Sequence, residues 1–301
     1  WVVRVTLPGP SASVSALTRE PVWQPGEDEW RSILKHVGAP PVRMDVAGIA
    51  RRAPHRVLAR ASVHFAISPD PVAAPIFYRD VNLPFIDAVK DPSTIRWRMG
   101  TVSSPELPKT VLDGLPVCAN CHSFSAGGDV LGMDVDYAND KGSYAIVPIE
   151  RTMELTKDKV ITWSDYRRED NVTTFGLLSQ VSPDGRYVVS TVKDRSVFVP
   201  KPGIAFSQLF FPIQGILVIY DRQAGTMQAL PGADDPAYVQ SNPCWSPDGT
   251  EIVFARNKAF ALERATGGDV LLSREECAAF LKDGKPFAFD LYRIPFNDGR
   301  G

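Results

Sequence analysis

The sequence predicts a mainly β protein: an N-terminal β-sandwich-like domain with one short helix over residues 1–110, then a partial β-propeller of about three blades over residues 111–301. Two observations carry this. The 26 prolines and 22 glycines are scattered between short apolar runs, which suits many strands and turns and not a helical bundle. One motif also recurs in phase: CHSFSAGGDVLGMDV, LLSQVSPDGRYVVSTV and NPCWSPDGTEIVFAR align on Ser125, Ser182 and Ser246.

Taken in order, WVVRVTL alternates as a strand does, and PGPSASVS reads as a loop. After Pro25 and Gly26, EDEWRSILKHV sets Trp30, Ile33, Leu34 and Val37 at helical spacing. Acidic residues in the first turn and Gly38 just past the end complete the signature of a short amphipathic helix. His36, beside that stripe, reads as a solvated helix-end side chain. RVLARASVHFAIS (56–68) and APIFYRDV (74–81), separated by PDPVA, are expected as neighbouring strands of the sandwich. IRWRMGTVSSPELPKTVLDGLP (95–116) is a proline-rich approach that fixes the path of the chain without a core of its own.

The repeat governs the rest. Each aligned serine is followed by a turn ending at Gly128, Gly185 or Gly249 and then by a strand, and each copy has a further strand downstream, SYAIVPI, GILVIYD or DLYRIPF. In Pro-Asp-Gly the proline presets φ and the glycine accepts the positive φ that closes the hairpin. Three blades do not close a ring, so either further blades lie outside this sequence or another surface caps the open edge.

Within the first copy stand Cys118, two intervening residues, Cys121 and His122, the spacing of a c-type haem attachment site. A short turn holds both thiols along one porphyrin edge, where they add to the vinyl groups, and His122 lies under the iron as proximal ligand. A redox dithiol does not need the histidine, and a zinc site would want a second ligand pair at matching spacing. The expected cofactor is therefore one covalently attached haem c at the junction of the two domains. Three readings of the distal side stay open: Met133 on the strand after the hairpin, His64 on a sandwich strand, and a vacant or tyrosine-ligated site such as Tyr78. Met133 aligns with Ser190 and Phe254, which also suits an ordinary blade residue. Cys244 and Cys277 read as buried free thiols in preference to a disulfide. Asp134, Asp136 and Asp140 read as solvent-facing strand and turn carboxylates, since they lack the spacing of a calcium loop.

The serine-proline-aspartate-glycine hairpins resemble the TolB-like β-propeller family over residues 117–301. APIFYRDVNLP, VCANCHSFSAGG, NDKGSYAIVPI, QVSPDG, LPGADDPAYVQ and DLYRIPFN together resemble exported bacterial multidomain proteins in which a c-type haem motif opens such a propeller. The layout is distantly similar to that of the hydrazine synthase alpha subunit. A single haem motif stands here, so multi-haem chemistry is not implied.

Charges of both signs are mixed to a net −2, which predicts no basic face for nucleic acid and no polybasic membrane patch. No serine elbow or phosphate-binding glycine loop is present. No run reaches membrane-spanning length and no signal-peptide pattern opens the chain, yet it begins at Trp1 without an initiator methionine, which reads as a processed or incompletely represented polypeptide and leaves room for an export signal or anchor upstream. The expectation is thus a periplasmic or extracellular mono-haem cytochrome that serves a redox partner or a larger membrane-associated redox complex. A haem enzyme with an open distal site, and a non-redox interaction module, are the alternatives.

Overall fold

The structure is a computed structural model and describes the chain apart from residues 10–12, 39–40, 71, 73, 105, 116–118, 173, 201–207, 262–271, 283 and 285–286. The chain divides into two compact units, Trp1–Ile76 with Gly100–Pro108, and Phe77–Met99 with Lys109–Gly301.

The first unit is one antiparallel sheet and a helix. Strands β1 (Val2–Thr6), β2 (Ser13–Leu17), β3 (Val42–Ala50) and β4 (Ala53–Phe65) lie in the order β2-β1-β3-β4. Alternation along β1 sends Val3 and Val5 inward, and Val5, Leu7, Val14 and Val42 close over Ile33 of α1 (Glu27–Leu34). Each such buried aliphatic side chain contributes about 1.5–3 kcal/mol. The expected sandwich is corrected here: the described residues hold a single sheet, because the strand at 74–81 does not pair with β4. The expected helix face is corrected too. Ile33 is buried, whereas Trp30, Leu34 and Val37 are 40–45% exposed.

The second unit begins earlier than residue 110. Strands β5 (Pro75–Asp80), β6 (Arg96–Thr101) and β7 (Lys109–Leu112) form a three-stranded sheet, with α2 (Phe85–Lys90) between the first two. Trp97 is fully buried and packs with Ile95, Val111 and Leu112 against Leu131, Met133 and Val135. That shared core is why residues 77–99 belong here and not to the N-terminal unit.

The first repeat is a four-stranded antiparallel sheet in the order β11-β10-β9-β8: β8 (Ala119–Phe124), β9 (Val130–Val135), β10 (Ser143–Pro148) and β11 (Val160–Thr162). The second is β12 (Gln180–Val181), β13 (Tyr187–Pro200), β14 (Gln208–Asp221) and β15 (Thr226–Ala229), and the third is β16 (Tyr238–Trp245), β17 (Glu251–Lys258) and β18 (Asp290–Pro295). Helix α3 (Arg274–Lys282) precedes β18 and seals the extended ends of β13 and β14 through Cys277 and Phe280. These sheets stack face to face. Ala145 and Val147 of β10 join the Trp97 core, while Tyr144 and Ile146 on its other face meet Val181, Val188 and Val218 of the second repeat. Val189, Leu217 and Ile219 then meet Ile252 and Phe254 of the third. The β5–β7 sheet thus covers the free face of the first blade. The second and third sheets are not separate, since a parallel bridge from Gly215 to Val239 makes them one seven-stranded sheet.

The repeat alignment holds atom by atom. In each hairpin the serine amide donates to the carbonyl five residues on, at 3.1 Å for Ser125, 2.8 Å for Ser182 and 2.9 Å for Ser246. The hydroxyl accepts from the amide of that same residue, at 3.1, 2.8 and 2.9 Å. The closing glycines sit at φ 70°, 73° and 72°. One variation falls in the first copy: Asp184 and Asp248 accept from their serines two residues back, whereas Ser125 donates to Asp129 four residues on.

Candidate functional site: the motif strand of the first blade

Cys118 lies outside the described residues. The rest of the motif is strand β8, whose pairing with β9 is interrupted: Ala119 faces Val135 and His122 faces Met133, so Asn120 and Cys121 stand against Asp134 alone. This is a β-bulge, a device that re-aims side chains. Cys121 is half-buried beside the Asp134 carboxyl, and burial first, then that negative charge, push the thiol up to about 11. It is a protonated thiol at neutral pH and a poor nucleophile.

His122 takes the other face. Its ring packs edge-on against Phe77 at 5.0 Å and Phe124 at 5.7 Å, and burial holds its pKa below the ordinary histidine value. Arg79 Nη1 donates to the Ala119 carbonyl at 3.1 Å and ties β5 to the start of β8. The imidazole is therefore neutral at pH 7, the form that coordinates a metal.

Met133 lies directly across the strand from His122 but is 1% exposed within the Trp97 core, the position that its alignment with Ser190 and Phe254 implies. Tyr78 is partly buried on β5 next to Phe77, and strand alternation turns its side chain to the opposite face. His64 is exposed on β4 of the first unit, opposite Arg43. The structure thus joins His122 with Met133 as a cross-strand pair, while Tyr78 belongs to β5 and His64 to β4. A c-type haem asks for both thiols and the imidazole on one ring, and β8 as folded directs Cys121 and His122 to opposite faces. Among the described residues the strand thus presents Cys121 and His122 on separate faces, and Cys118 lies outside them.

Sequence reasoning missed the polar cluster between the first and second blades. Asp134, expected to face solvent, has a buried carboxyl: Leu178 N donates to Oδ2 at 3.2 Å, and Oδ1 has no partner among the described residues. Burial raises its pKa to about 7. Asp194, also buried, accepts from Phe175 N at 2.8 Å and Gly176 N at 3.1 Å, and burial raises it to about 6. Ser179 links the cluster, accepting from Trp163 Nε1 at 3.1 Å and donating to Ser190 at 2.8 Å. The one signal in the sequence was an acid at the position that Thr191 and Ala255 occupy in the other copies.

Of the other cysteines, Cys277 is buried and Cys244 exposed, and both are free thiols. A register shift between Ser241 and Cys244 turns Cys244 outward, against the expectation of burial. Asp136 pairs with Lys141. A cleft of about 900 Å³ lined by Tyr137, Tyr166, Tyr220, Asp140, Lys157 and Met227 opens between the outer strands of the first two blades, and no residue of β8 lines it. Among the described residues no three metal-ligating side chains cluster, and no helix is long and apolar enough to cross a membrane.

The fold and this strand define a mainly β protein of stacked, propeller-like blades with a Cys-x-x-Cys-His segment entering the first. No protein-family model matches the chain, and no curated protein matches it. Among solved structures it is similar to the putative TolB of Agrobacterium tumefaciens, with a TM-score of 0.41 and 13% identity over 87% of this chain and 74% of that one. It is also similar to the TolB of Acinetobacter baumannii, with a TM-score of 0.40 and 12% identity over 94% of this chain and 62% of that one, so it spans less than two thirds of that protein's length. A third similar structure is the tricorn protease, at 10% identity over 55% of this chain.

Proposed function

We propose that the chain is an exported, propeller-based module carrying a single haem c, an electron-transfer or accessory subunit of a larger redox complex in the periplasm. The observation that carries this reading is the Cys118–Cys121–His122 motif at the bulged start of β8. Two features support it. His122 is an exposed imidazole held in the neutral form that coordinates iron, and the ladder is already broken at Asn120 and Cys121, so the start of β8 can leave it without undoing the hairpin at Ser125. When bound, the haem supplies reversible one-electron chemistry. Cys118 and Cys121 are the attachment residues of this reading and His122 its proximal ligand.

The opposite orientations of Cys121 and His122 favour a second reading, a non-redox interaction module in which β8 is an ordinary blade strand. One experiment separates them. The chain is produced together with a haem c maturation system and denatured, and covalent haem is read by gel staining and by the pyridine haemochrome spectrum. The first reading expects one covalent haem per chain, lost in Cys118→Ala and Cys121→Ala, with a shifted spectrum in His122→Ala. An intact motif that acquires no covalent haem leaves the second reading. Prompt binding of carbon monoxide to the reduced holoprotein would mark an open distal site and an enzyme.

A further inference from the structure

The hairpin of β3 and β4 stands apart from the rest of the chain in charge. Residues 42–65 hold five arginines and two histidines against one carboxylate, Asp45, in a chain whose net charge is −2. Asp45 is already engaged: Arg43 Nη2 donates to it at 2.8 Å, and Ser62 donates to the same oxygen. Arg51 and Arg52 at the turn, and Arg56 and Arg60 along β4, have no carboxylate partner among the described residues. The basic bias is thus local to this one stretch of sequence, which the hairpin sets out as an exposed basic surface.

The same strand leaves its backbone open. β4 is an edge of its sheet, and every residue from Pro54 to His64 is exposed. Natural edges are blunted by bulges, prolines, brevity or charged side chains, because a long, regular, open edge is a template for another strand; the arginines of β4 therefore repel a cationic or like strand and leave the edge open to an anionic one. Here Pro54 and the register shifts fall before Ala59, whereas Ala59 to Phe65 run in unbroken register against Gly48 to Val42. Leu58 is 62% exposed and Val63 47%, so the edge carries apolar side chains as well as charge.

We propose that the outer edge of β4, from Ala59 to Phe65, is a strand-addition site for an extended acidic segment of a partner protein. Main-chain hydrogen bonds to the open edge supply affinity, and alternate side chains supply specificity. Arg60 and His64 lie on one face of β4, Ala61 and Val63 on the other, so the matching segment alternates carboxylates with small apolar residues. A second copy of this chain is the poorer occupant, because β4 against β4 sets arginines and histidines against each other. Nucleic acid would meet the arginines but leave the open edge and Leu58 unused.

The probe is a short fluorescent peptide alternating glutamate and valine, titrated into the full chain by anisotropy and compared with its lysine–valine counterpart. The acidic peptide is expected to bind at least about tenfold tighter, and more weakly as salt rises. Arg56→Glu with Arg60→Glu, both exposed, is expected to weaken it at least about tenfold at an unchanged melting temperature. N-methylation along one edge of the acidic peptide keeps its charge and removes its main-chain donors, and is expected to abolish binding. Equal binding of the N-methylated peptide would overturn strand addition. Displacement of the peptide by an oligonucleotide at lower concentration would reassign the surface to nucleic acid, and concentration-dependent dimerisation abolished by Arg60→Glu would reassign it to self-association.

Discussion

At the scale of single residues, Met133 and Asp134 are neighbours with opposite fates. Met133 faces the Trp97 core, so Met133→Ala is expected to cost about 2–5 kcal/mol in urea unfolding, whereas Met133→Leu conserves volume and should cost less than about 1.5 kcal/mol. Asp134 points between blades, and its folded pKa of about 7 lies above the ordinary 3.8. The folded chain therefore keeps a proton that the unfolded chain gives up between about pH 4 and pH 7, so the contribution of Asp134 to stability is greatest below that window and declines as pH rises through it. Asp134→Asn is expected to remove much of that decline, raising the melting temperature near pH 8 more than near pH 5. An equal change at both pH values would place the titration elsewhere. Met133 was legible because its aligned partners are strand residues. Asp134 was not, because a charge in an alternating pattern reads as outward-facing until a second blade covers that face.

The hairpins act as elements. Ser182 is 2% exposed, donates to Asp184 at 2.5 Å and accepts from Tyr187 N at 2.8 Å, whereas Ser246 makes the equivalent bonds at a more exposed turn. Ser182→Ala leaves a buried amide unsatisfied and is expected to cost about 1–3 kcal/mol in chemical unfolding. Ser246→Ala should cost less, because water replaces the hydroxyl. The serine and glycine of each turn were readable from the sequence, since both are fixed by hydrogen bonding and positive φ. Which strands share a sheet was not. β4 and β5 show similar local patterns, and the turn between them does not encode that β4 returns along β3 while β5 joins β6.

For the whole molecule, the position of Trp97 sets where the second unit can begin. A chain starting at Phe77 keeps the sheet that covers the first blade. One starting at 110 loses Trp97 and Ile95 and exposes Leu131, Met133 and Val135. The first is expected to unfold cooperatively on heating and the second to bind hydrophobic dye and melt without a clear transition. The sequence divided the chain near 110 because the proline-rich approach looked like a linker. Its apolar residues belong to a core whose other half lies thirty residues further on, which no local pattern reveals. On the haem reading, the division of Cys121 and His122 between two faces of β8 also implies an order of events. Once β8 has closed on β9, the thiol sits against a buried carboxyl and the imidazole among phenylalanines, so the finished fold is a poor acceptor. Haem offered to the folded chain by a maturation system is expected to remain extractable by acid and acetone, whereas haem offered by the same system before folding is expected to stay with the polypeptide. On that reading the fold acts as a clock, and what this strand becomes depends on which reaches it first, the porphyrin or its own neighbour.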